Sequence, residues 1–300
     1  MSTLIAGIET GGTKVVCALA PLEEPRRILR RISLPTRGPV ETLADIAAFL
    51  TGDIAGVGVA SFGPLDVDPA SPTYGHLTST PKLGWEGTDV LGAIGAALPG
   101  VPARLVTDVN GSALGEARWG AGAGVADFVY LTVGTGVGGG LINGGRLLAG
   151  SGWPEIAHVL VRRHPEDDFA GTCPFHGDCV EGLVAGPAIL GRWGTDGSSL
   201  DPERAAQNLR FSAYYLAQLV ATLAYTVGVR LAVIGGGVAK TPGLLPLVER
   251  EVERLMGPPG ANGTAAGRIR ILPPALGDDA GVLGALSLAE SAARGGAARA

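Results

Sequence analysis

The sequence predicts an α/β protein that is divided into two lobes and built from an internal duplication. Short apolar strands alternate with segments of helical spacing along most of the 300 residues, which is the pattern of α/β architecture. An apolar hairpin with a glycine-rich tip opens the chain, and a second one begins near its middle, at residue 128. One such hairpin in each half indicates that the fold is duplicated.

The first lobe is predicted to span residues 1–119. Its hydrophobic runs and turn residues predict strands at 4–8, 15–20, 54–60 and 101–107 and helices at 42–50 and 112–119. The turn E-T-G-G-T-K separates the first two strands, and the run at 54–60 ends in S-F-G-P.

The second lobe is predicted to span residues 120–277, and a last helix within 278–300 should pack back on the first lobe. The pattern of the second lobe predicts a strand at 128–133, a glycine-rich turn at 134–140, a return strand that begins at 140–142, a helix at 202–227, a strand at 231–234 and a loop at 258–267. Asp201 followed by Pro202 is typical of a capped helix start. The last helix is expected to run to about residue 293, before a frayed tail.

Composition excludes several classes of protein. The chain is 46% hydrophobic and 17% charged, with a net charge of −5 and no basic block, so nucleic acid is not an expected partner. The most apolar helical stretch, 213–229, is interrupted by polar residues, which indicates a core helix and no membrane segment. The N-terminus has no signal-peptide pattern. We therefore expect a cytoplasmic protein.

A cluster of soft ligands follows the middle of the chain. Cys173, His176 and Cys179 have the spacing Cys-x2-His-x2-Cys, and His158 lies upstream. These four side chains predict a tetrahedral zinc site, which four protein ligands would make structural. The alternative is a reduced cysteine pair beside surface histidines, which such spacing disfavours. The third cysteine, Cys17, lies in an apolar run and is predicted to be a core residue.

Two carboxylates flank the predicted zinc ligands. Glu155 and Glu181 are each close in sequence to a ligand, so a metal-ordered backbone would hold them. Carboxylates fixed in this way suit the binding of a hydroxyl-rich substrate.

Three glycine runs follow apolar strands and predict contacts with a nucleotide. Tips without side chains let backbone N–H groups approach an anion. Threonines in two of the runs can add hydroxyl donors, and Lys14 is either a further cation for the phosphates or a solvated lysine at a strand edge. The runs differ from both the G-x-G-x-x-G and the Walker A patterns. They comprise Gly11, Gly12 and Thr13; Gly134, Thr135, Gly136 and Gly138; and Gly235, Gly236 and Gly237.

Asp108 is the candidate general base. It follows an apolar strand and precedes a helix in T-D-V-N-G-S, a position from which a carboxylate faces the cleft of an α/β sheet. Phosphoryl transfer needs such a base near the attacking hydroxyl. The alternative is a helix N-cap, which is common for aspartate. Asn110 offers a donor and an acceptor to a sugar hydroxyl, or is itself a cap.

Eight motifs in family order resemble the ROK family of sugar kinases, and more narrowly its bacterial fructokinase branch. They cover nearly the whole chain: G-I-E-T-G-G-T-K-V-V-C-A at 7–18, S-F-G-P-L-D at 61–66, T-S-T-P-K-L-G-W at 78–85, T-D-V-N-G-S-A-L-G-E at 107–116, L-T-V-G-T-G-V-G-G-G at 131–140, R-R-H-P-E-D at 162–167, C-P-F-H-G-D-C-V-E-G-L-V-A-G-P-A-I at 173–189 and I-G-G-G-V at 234–238.

The resemblance implies the actin-like ATPase fold, which is ribonuclease H-like, with two α/β lobes around a cleft and a structural zinc loop. It implies ATP-dependent phosphorylation of fructose at its 6-hydroxyl, with Mg²⁺ near Glu9 and with Asp108 as base. It further implies sugar contacts from Glu155, His158 and Glu181, nucleotide contacts from Thr135, Pro187 and residues 235–237, and zinc on the four ligands above. We also expect a homodimer.

One departure from the family pattern concerns the choice of sugar. The fructokinase branch usually has H-P-E-M-G-H before the zinc loop, where this chain has W-P-E-I-A-H at 153–158. Trp153 thus replaces a histidine next to a predicted sugar ligand. A hexokinase for mannose or glucose is the alternative within the class. A sugar-sensing repressor is disfavoured because no DNA-binding domain precedes the hairpin, and an inactive sugar-binding protein because Asp108 and the glycine tips are retained.

Overall fold

The protein is described here by a computed structural model for residues 2–80, 82–150, 152–257 and 268–296. The chain divides into two compact units. Unit 1 comprises Met1–Gly124, Gly145–Pro154 and Leu276–Ala300, and unit 2 comprises Val125–Gly144 and Glu155–Ala275. The lobes predicted from sequence differ from these units chiefly at 145–154, which group with unit 1. The loop predicted at 258–267 lies outside the described residues.

Unit 1 is built on a mixed five-stranded sheet. Its elements in chain order are β1 (Leu4–Thr10), β2 (Lys14–Pro21), β3 (Arg30–Pro35), α1 (Pro39–Phe49), β4 (Ile54–Ser61), α2 (Val90–Ala97), β5 (Ala103–Thr107) and α3 (Asp108–Trp119). The strand order is β3-β2-β1-β4-β5. The hairpin β1–β2 is antiparallel, whereas β4 and β5 add to it in parallel.

Unit 2 repeats this topology. Its elements are β6 (Phe128–Val133), β7 (Val137–Asn143), α4 (Val180–Val184), α5 (Gly186–Trp193), α6 (Pro202–Thr226), β9 (Leu231–Gly235), α7 (Leu244–Met256) and β10 (Arg270–Leu272), and the two-residue strand β8 (Arg146–Leu147) follows β7. The strand order β10-β9-β6-β7-β8 is that of the first sheet in reverse. An antiparallel hairpin again pairs with two parallel strands. The predicted duplication is therefore confirmed.

Alternation along the first hairpin gives the sheet of unit 1 two buried faces. On one face, Ile8 and Cys17 pack in a cluster with Trp85 and residues of α1 and α2. On the other face, Ile5 and Val16 pack against the last helix, α8 (Ala280–Ala293). Cys17 is fully buried, as predicted, and burial raises the pKa of its thiol to about 12.

Glycines let α8 lie directly on its neighbours in unit 1. A Cβ on Gly58 of β4 would lie 2.0 Å from the Ala285 carbonyl oxygen, and one on Gly284 of α8 would lie 1.7 Å from the Gly111 carbonyl oxygen in α3. A Cβ on Gly115 would meet the Ala280 carbonyl oxygen at 2.3 Å. Only glycine permits backbones to approach this closely. These contacts fix α8 against both the sheet and α3, the helix that begins with Asp108.

Two details of the sequence prediction change, and the end of the last helix does not. Helix α3 begins at Asp108, four residues before the predicted start, because the residues D-V-N-G are weak helix formers that conceal its first turn. The predicted turn at 134–140 is shorter, since β7 already begins at Val137 and contains Gly138. The predicted last helix ends at Ala293. The Asp201 cap is confirmed, because its side chain accepts a hydrogen bond of 2.9 Å from Arg204 N.

A buried ion pair anchors the segment before the Cys/His loop in unit 2. The Arg192 guanidinium donates two hydrogen bonds to the Asp167 carboxylate, at 3.1 and 3.0 Å, and both side chains are almost fully buried. Tyr215 adds a hydroxyl donor at 2.6 Å. Arg192 also donates to the carbonyl oxygen of Leu183 in α4. Although burial favours protonation of Asp167, its Tyr215 and Arg192 partners hold its pKa below the usual range.

Among the described residues, no helix is both long and apolar enough to cross a membrane. The apolar stretch at 213–229 lies mostly in α6, and many of its residues belong to the core of unit 2.

Candidate active site and metal centre

At the tip of the first hairpin the carbonyl groups already accept hydrogen bonds, so backbone amides are the groups left to meet a ligand. Thr36 donates to two of these carbonyl groups, and Lys82 extends from a separate turn to a third. The four hydrogen bonds run from Thr36 Oγ1 to Gly11 O at 2.7 Å, from Lys82 Nζ to Gly12 O at 2.6 Å, from Thr36 N to Thr13 O at 2.9 Å and from Gly11 N to Lys14 O at 2.8 Å. In the described part of the chain, no acceptor meets Gly12 N or Thr13 N. These two amides can therefore bind an anion.

Glu9 lies at the end of β1, just before this tip. One of its carboxylate oxygens, Oε2, is buried and has no hydrogen-bond partner among the described residues. Burial, followed by the charge of nearby Asp108, raises the pKa of Glu9 to about 7, although Lys14 and Arg31 act in the opposite direction. A buried oxygen without a donor is satisfied by a cation or an ordered water.

Asp108 is the first residue of α3, and it is not the N-cap. The cap is Thr107, whose hydroxyl accepts from Asn110 N at 3.4 Å and from Asn110 Nδ2 at 2.8 Å. Asp108 Oδ1 accepts from Val109 N at 2.8 Å, and its side chain is half-buried. The alternative of a capping aspartate is thereby removed. Asn110 is almost fully buried, and its amide serves the helix start.

Unit 2 brings its predicted nucleotide residues together at the ends of β6 and β9. Gly134 begins the tip, and its carbonyl oxygen accepts from Gly186 N at 2.7 Å, which places Pro187 beside it. A Cβ on Gly134 would lie 3.7 Å from Gly237 N. Gly236 has φ +92° and packs on the backbone of Val133, where a Cβ would lie 2.4 Å from the carbonyl oxygen.

The remaining members of this group continue the same surface. Thr135 is exposed at the apex, Gly136 closes the turn by accepting from Gly134 N at 2.9 Å, and Gly235 is the last residue of β9. Sequence reasoning placed all these glycines in the nucleotide group, but it missed Gly186, whose N–H ties α5 to the tip.

Glu181 is directed at the second tip. Its Oε2 accepts from Val137 N at 3.0 Å, and a Cβ on Gly136 would lie 2.9 Å from the same oxygen. Glu181 belongs to α4, which starts immediately after Cys179. The Cys/His loop and the glycine tip are therefore joined through one short helix.

His158, Cys173, His176 and Cys179 form the Cys/His cluster. One ligand atom from each lies within 4.8 Å of the others. Cys173 Sγ is 3.7 Å from the Nδ1 atoms of both histidines, and Cys179 Sγ is 3.5 Å from His158 Nδ1. Tetrahedral zinc with Zn–S of about 2.3 Å and Zn–N of about 2.0 Å would place its ligands about 3.3–3.8 Å apart. The donor set and these three distances therefore fit a zinc ion.

The backbone around the cluster is built for this geometry. Cys173 and Gly177 exchange two backbone hydrogen bonds of 2.9 and 3.1 Å, and Gly177 has φ +65°. His158 ends a 3-10 turn, whose first carbonyl group, that of Glu155, accepts from His158 N at 3.1 Å. The Glu155 side chain is exposed. Cys173 and His176 come from the tight turn, Cys179 follows it, and His158 comes from the separate 3-10 turn.

Trp153 contributes a donor without an acceptor. Its indole Nε1 is buried and has no hydrogen-bond partner in the described residues. An indole N–H in this state is available to a ligand hydroxyl.

The chain is similar in sequence and structure to the members of one known protein family. The model of the ROK family matches residues 5–292. A fructokinase of Zymomonas mobilis is 40% identical over 297 residues, which are 95% of this chain and 96% of that protein. The ROK hexokinase of Thermus thermophilus aligns with a TM-score of 0.78 at 25% identity, over 98% of this chain and 100% of the other.

A second solved structure carries bound ligands. The ROK family glucokinase of Streptomyces griseus, crystallised with glucose and AMPPNP, aligns with a TM-score of 0.72 at 26% identity, over 96% of this chain and 99% of that one. The two-sheet architecture is thus that of ROK kinases, the actin-like ATPase fold expected from sequence. The chain belongs to the ROK family.

Proposed function

We propose that this protein is a fructokinase, which transfers the γ-phosphoryl group of ATP to the 6-hydroxyl of fructose. A sugar kinase is the class that family and fold support. The narrower choice of fructose rests on the 40% identity to a fructokinase over nearly the full length of both chains. Within the structure, the observation that carries the proposal is the glycine tip with two available amides beside Glu9 and Asp108.

Asp108 is proposed as the general base. The 6-hydroxyl oxygen of the sugar forms a bond to the γ-phosphorus, and the bond from that phosphorus to the bridging oxygen breaks. ADP leaves with the electron pair, and Asp108 takes the hydroxyl proton. Helix α3 is consistent with this role because its N-cap is Thr107, so Asp108 does not act as the cap.

Nucleotide contacts are proposed for each unit by itself. In unit 1, Gly11, Gly12 and Thr13, with the charge of Lys14, suit the terminal phosphate, since the same unit holds Asp108. In unit 2, Gly134, Thr135, Gly136 and Pro187 with Gly235 to Gly237 are the proposed contacts. Mg²⁺ bound with the nucleotide neutralises phosphate charge, and the unpartnered oxygen of Glu9 would help to hold it.

The sugar would be bound by polar side chains around the metal loop. Glu155, His158 and Glu181 are proposed as hydroxyl partners, together with Asn110. Zinc on the Cys/His cluster would fix the backbone that carries the first three of these residues, and with four protein ligands it has a structural role. Burial raises the pKa of the Cys179 thiol to about 11 in the metal-free protein, and a bound zinc ion would displace the proton of this thiol.

Measurement of ADP release tests the choice of sugar. Purified enzyme with ATP and Mg²⁺ is assayed with fructose, mannose, glucose and N-acetylmannosamine, and kcat/KM is compared. We expect fructose to be best and mannose second. A higher kcat/KM on glucose or mannose would favour the hexokinase alternative, and sugar binding without ADP release would point to a binding protein. The expected homodimer stays a prediction, which light scattering can measure.

A further inference from the structure

We infer that Lys82 is a positioning residue for the terminal phosphate of ATP, acting through the Gly12–Thr13 peptide. This inference rests on the proposed function, because it assigns a phosphate to the first glycine tip. Lys82 lies in T-S-T-P-K-L-G-W, a motif to which the proposed mechanism gives no role. The structure brings its ammonium group to the Gly12 carbonyl oxygen, 70 residues away in sequence, at 2.6 Å.

The turn that carries Lys82 is firmly anchored. Trp85 is fully buried, its indole N–H donates to the Arg37 carbonyl oxygen at 2.9 Å, and its ring packs edge-on against Phe62. Thr78 donates through its backbone N–H to Pro64 O at 2.8 Å. Lys82 therefore extends from a fixed base to the hairpin tip, so that holding its ammonium group on Gly12 O orders the side chain without a further cost in backbone entropy.

The chemistry follows from the planarity of the peptide. The C=O and N–H of a trans peptide point in opposite directions, so an ammonium held on Gly12 O aims Thr13 N–H away from Lys82 and toward the anion. A positive charge on the carbonyl side also polarises that peptide and strengthens its N–H as a donor. Lys82 does not need to touch the phosphate.

The tip serves the terminal phosphate in particular. Glu9 lies two residues before its first glycine and is close enough to Asp108 for the Asp108 charge to raise the pKa of Glu9. The proposed base and the tip therefore lie on the same side of unit 1, where the phosphoryl group must be transferred. Removal of Lys82 should accordingly weaken the binding of a triphosphate more than that of a diphosphate.

Nucleotide binding without sugar tests this inference. Affinities for Mg-AMPPNP and Mg-ADP are measured by calorimetry for wild type, Lys82→Met and Lys82→Arg. Loss of one charge-assisted donor corresponds to a fall of about 10- to 100-fold. We expect a fall of this size for AMPPNP with Lys82→Met, a change of less than threefold for ADP, and recovery of most of the AMPPNP affinity in Lys82→Arg.

Two matched control variants separate the effect of Lys82 from a general loss of positive charge and from a change in its loop. Arg26→Met removes a positive charge from an exposed side chain of unit 1, and Leu83→Ala truncates the exposed neighbour of Lys82. Both control variants should bind the two nucleotides with wild-type affinity, and all variants should have the melting temperature of wild type. If Lys82→Met loses affinity for AMPPNP and ADP equally, or loses none, the inference is wrong and the proposed function is unaffected. A wild type that binds neither nucleotide would overturn the inference together with the proposed function.

Discussion

Replacing Gly284 with alanine tests the glycine packing that holds α8 against α3. The added methyl group would lie 1.7 Å from the Gly111 carbonyl oxygen and 3.0 Å from Gly115 N. Ordinary contact between such atoms is about 3.5 Å, so the two helices must separate by roughly 2 Å. The obstacle is helix backbone, which cannot rotate aside as a side chain can.

The expected cost follows from two opposing effects. Overpacking a close-packed core costs about 1–3 kcal/mol, and this site should lie at the upper end because backbone is displaced on both helices. Alanine returns about 1 kcal/mol of helix propensity. The net loss is about 2 kcal/mol, which lowers the melting temperature by about 3 °C for a chain of this size. Because α3 begins with Asp108, kcat should fall as well.

Differential scanning calorimetry measures this change, and Gly95→Ala is the matched control. Gly95 is also a helical glycine, in α2, but a Cβ there meets no heavy atom within 4 Å. The control should be stabilised by about 0.5–1 kcal/mol. If Gly284→Ala melts at or above wild type, the helices can separate freely and the packing argument is wrong.

Three further predictions concern the metal, a buried ion pair and the choice of sugar. Purified protein should contain one zinc per chain by elemental analysis, and its removal by a chelator should lower the melting temperature and sugar affinity together; full stability and activity without zinc would contradict this. Asp167→Asn leaves Arg192 buried without its anion, which costs about 3–5 kcal/mol. The folded pKa of Asp167 lies below its unfolded value of about 3.9, so the ion pair contributes fully above that pH and is lost as pH falls through the folded pKa. Denaturation should therefore show a constant difference in free energy of unfolding between variant and wild type from pH 8 to about pH 4.5, which narrows only below about pH 4. A difference that disappears between pH 6 and 5 would refute the assignment. Trp153→His should raise the ratio of kcat/KM for fructose over mannose, because an imidazole can both donate to and accept from a sugar hydroxyl whereas an indole can only donate, and such a partner discriminates by about 1–3 kcal/mol; an unchanged ratio would show that Trp153 does not contact the sugar.

Local patterns were sufficient for much of the fold. The strands β1 and β6 contain largely apolar runs, at 4–8 and 128–133, and the glycines that follow these strands mark the hairpin turns. The Cys/His cluster was likewise predictable, because three of its ligands lie within seven residues. Such signals are local, so they can be read without the tertiary structure.

The remaining features depend on contacts that are distant in sequence. The glycines of β7 were mistaken for a turn, although a Cβ on Gly139 would lie 2.3 Å from Ile156 Cδ1, which packs on the strand. Glycine is needed there for close packing, but its weak strand preference hides the strand. Gly284 and Lys82 are similar cases, since their partners Gly111 and Gly12 lie far away in the chain. Short helices such as α4 have too few residues to show periodicity.

Identification of the sugar product tests the central claim most directly. ATP, Mg²⁺ and fructose are incubated with the enzyme, and fructose 6-phosphate is detected by coupling to phosphoglucose isomerase and glucose-6-phosphate dehydrogenase, which do not report the 1-phosphate. We predict product equal to the ADP released, with turnover lowered by about 10²–10⁴-fold in Asp108→Asn and with fructose and AMPPNP binding retained. ADP release without fructose 6-phosphate, or near-normal turnover in Asp108→Asn, would contradict the account.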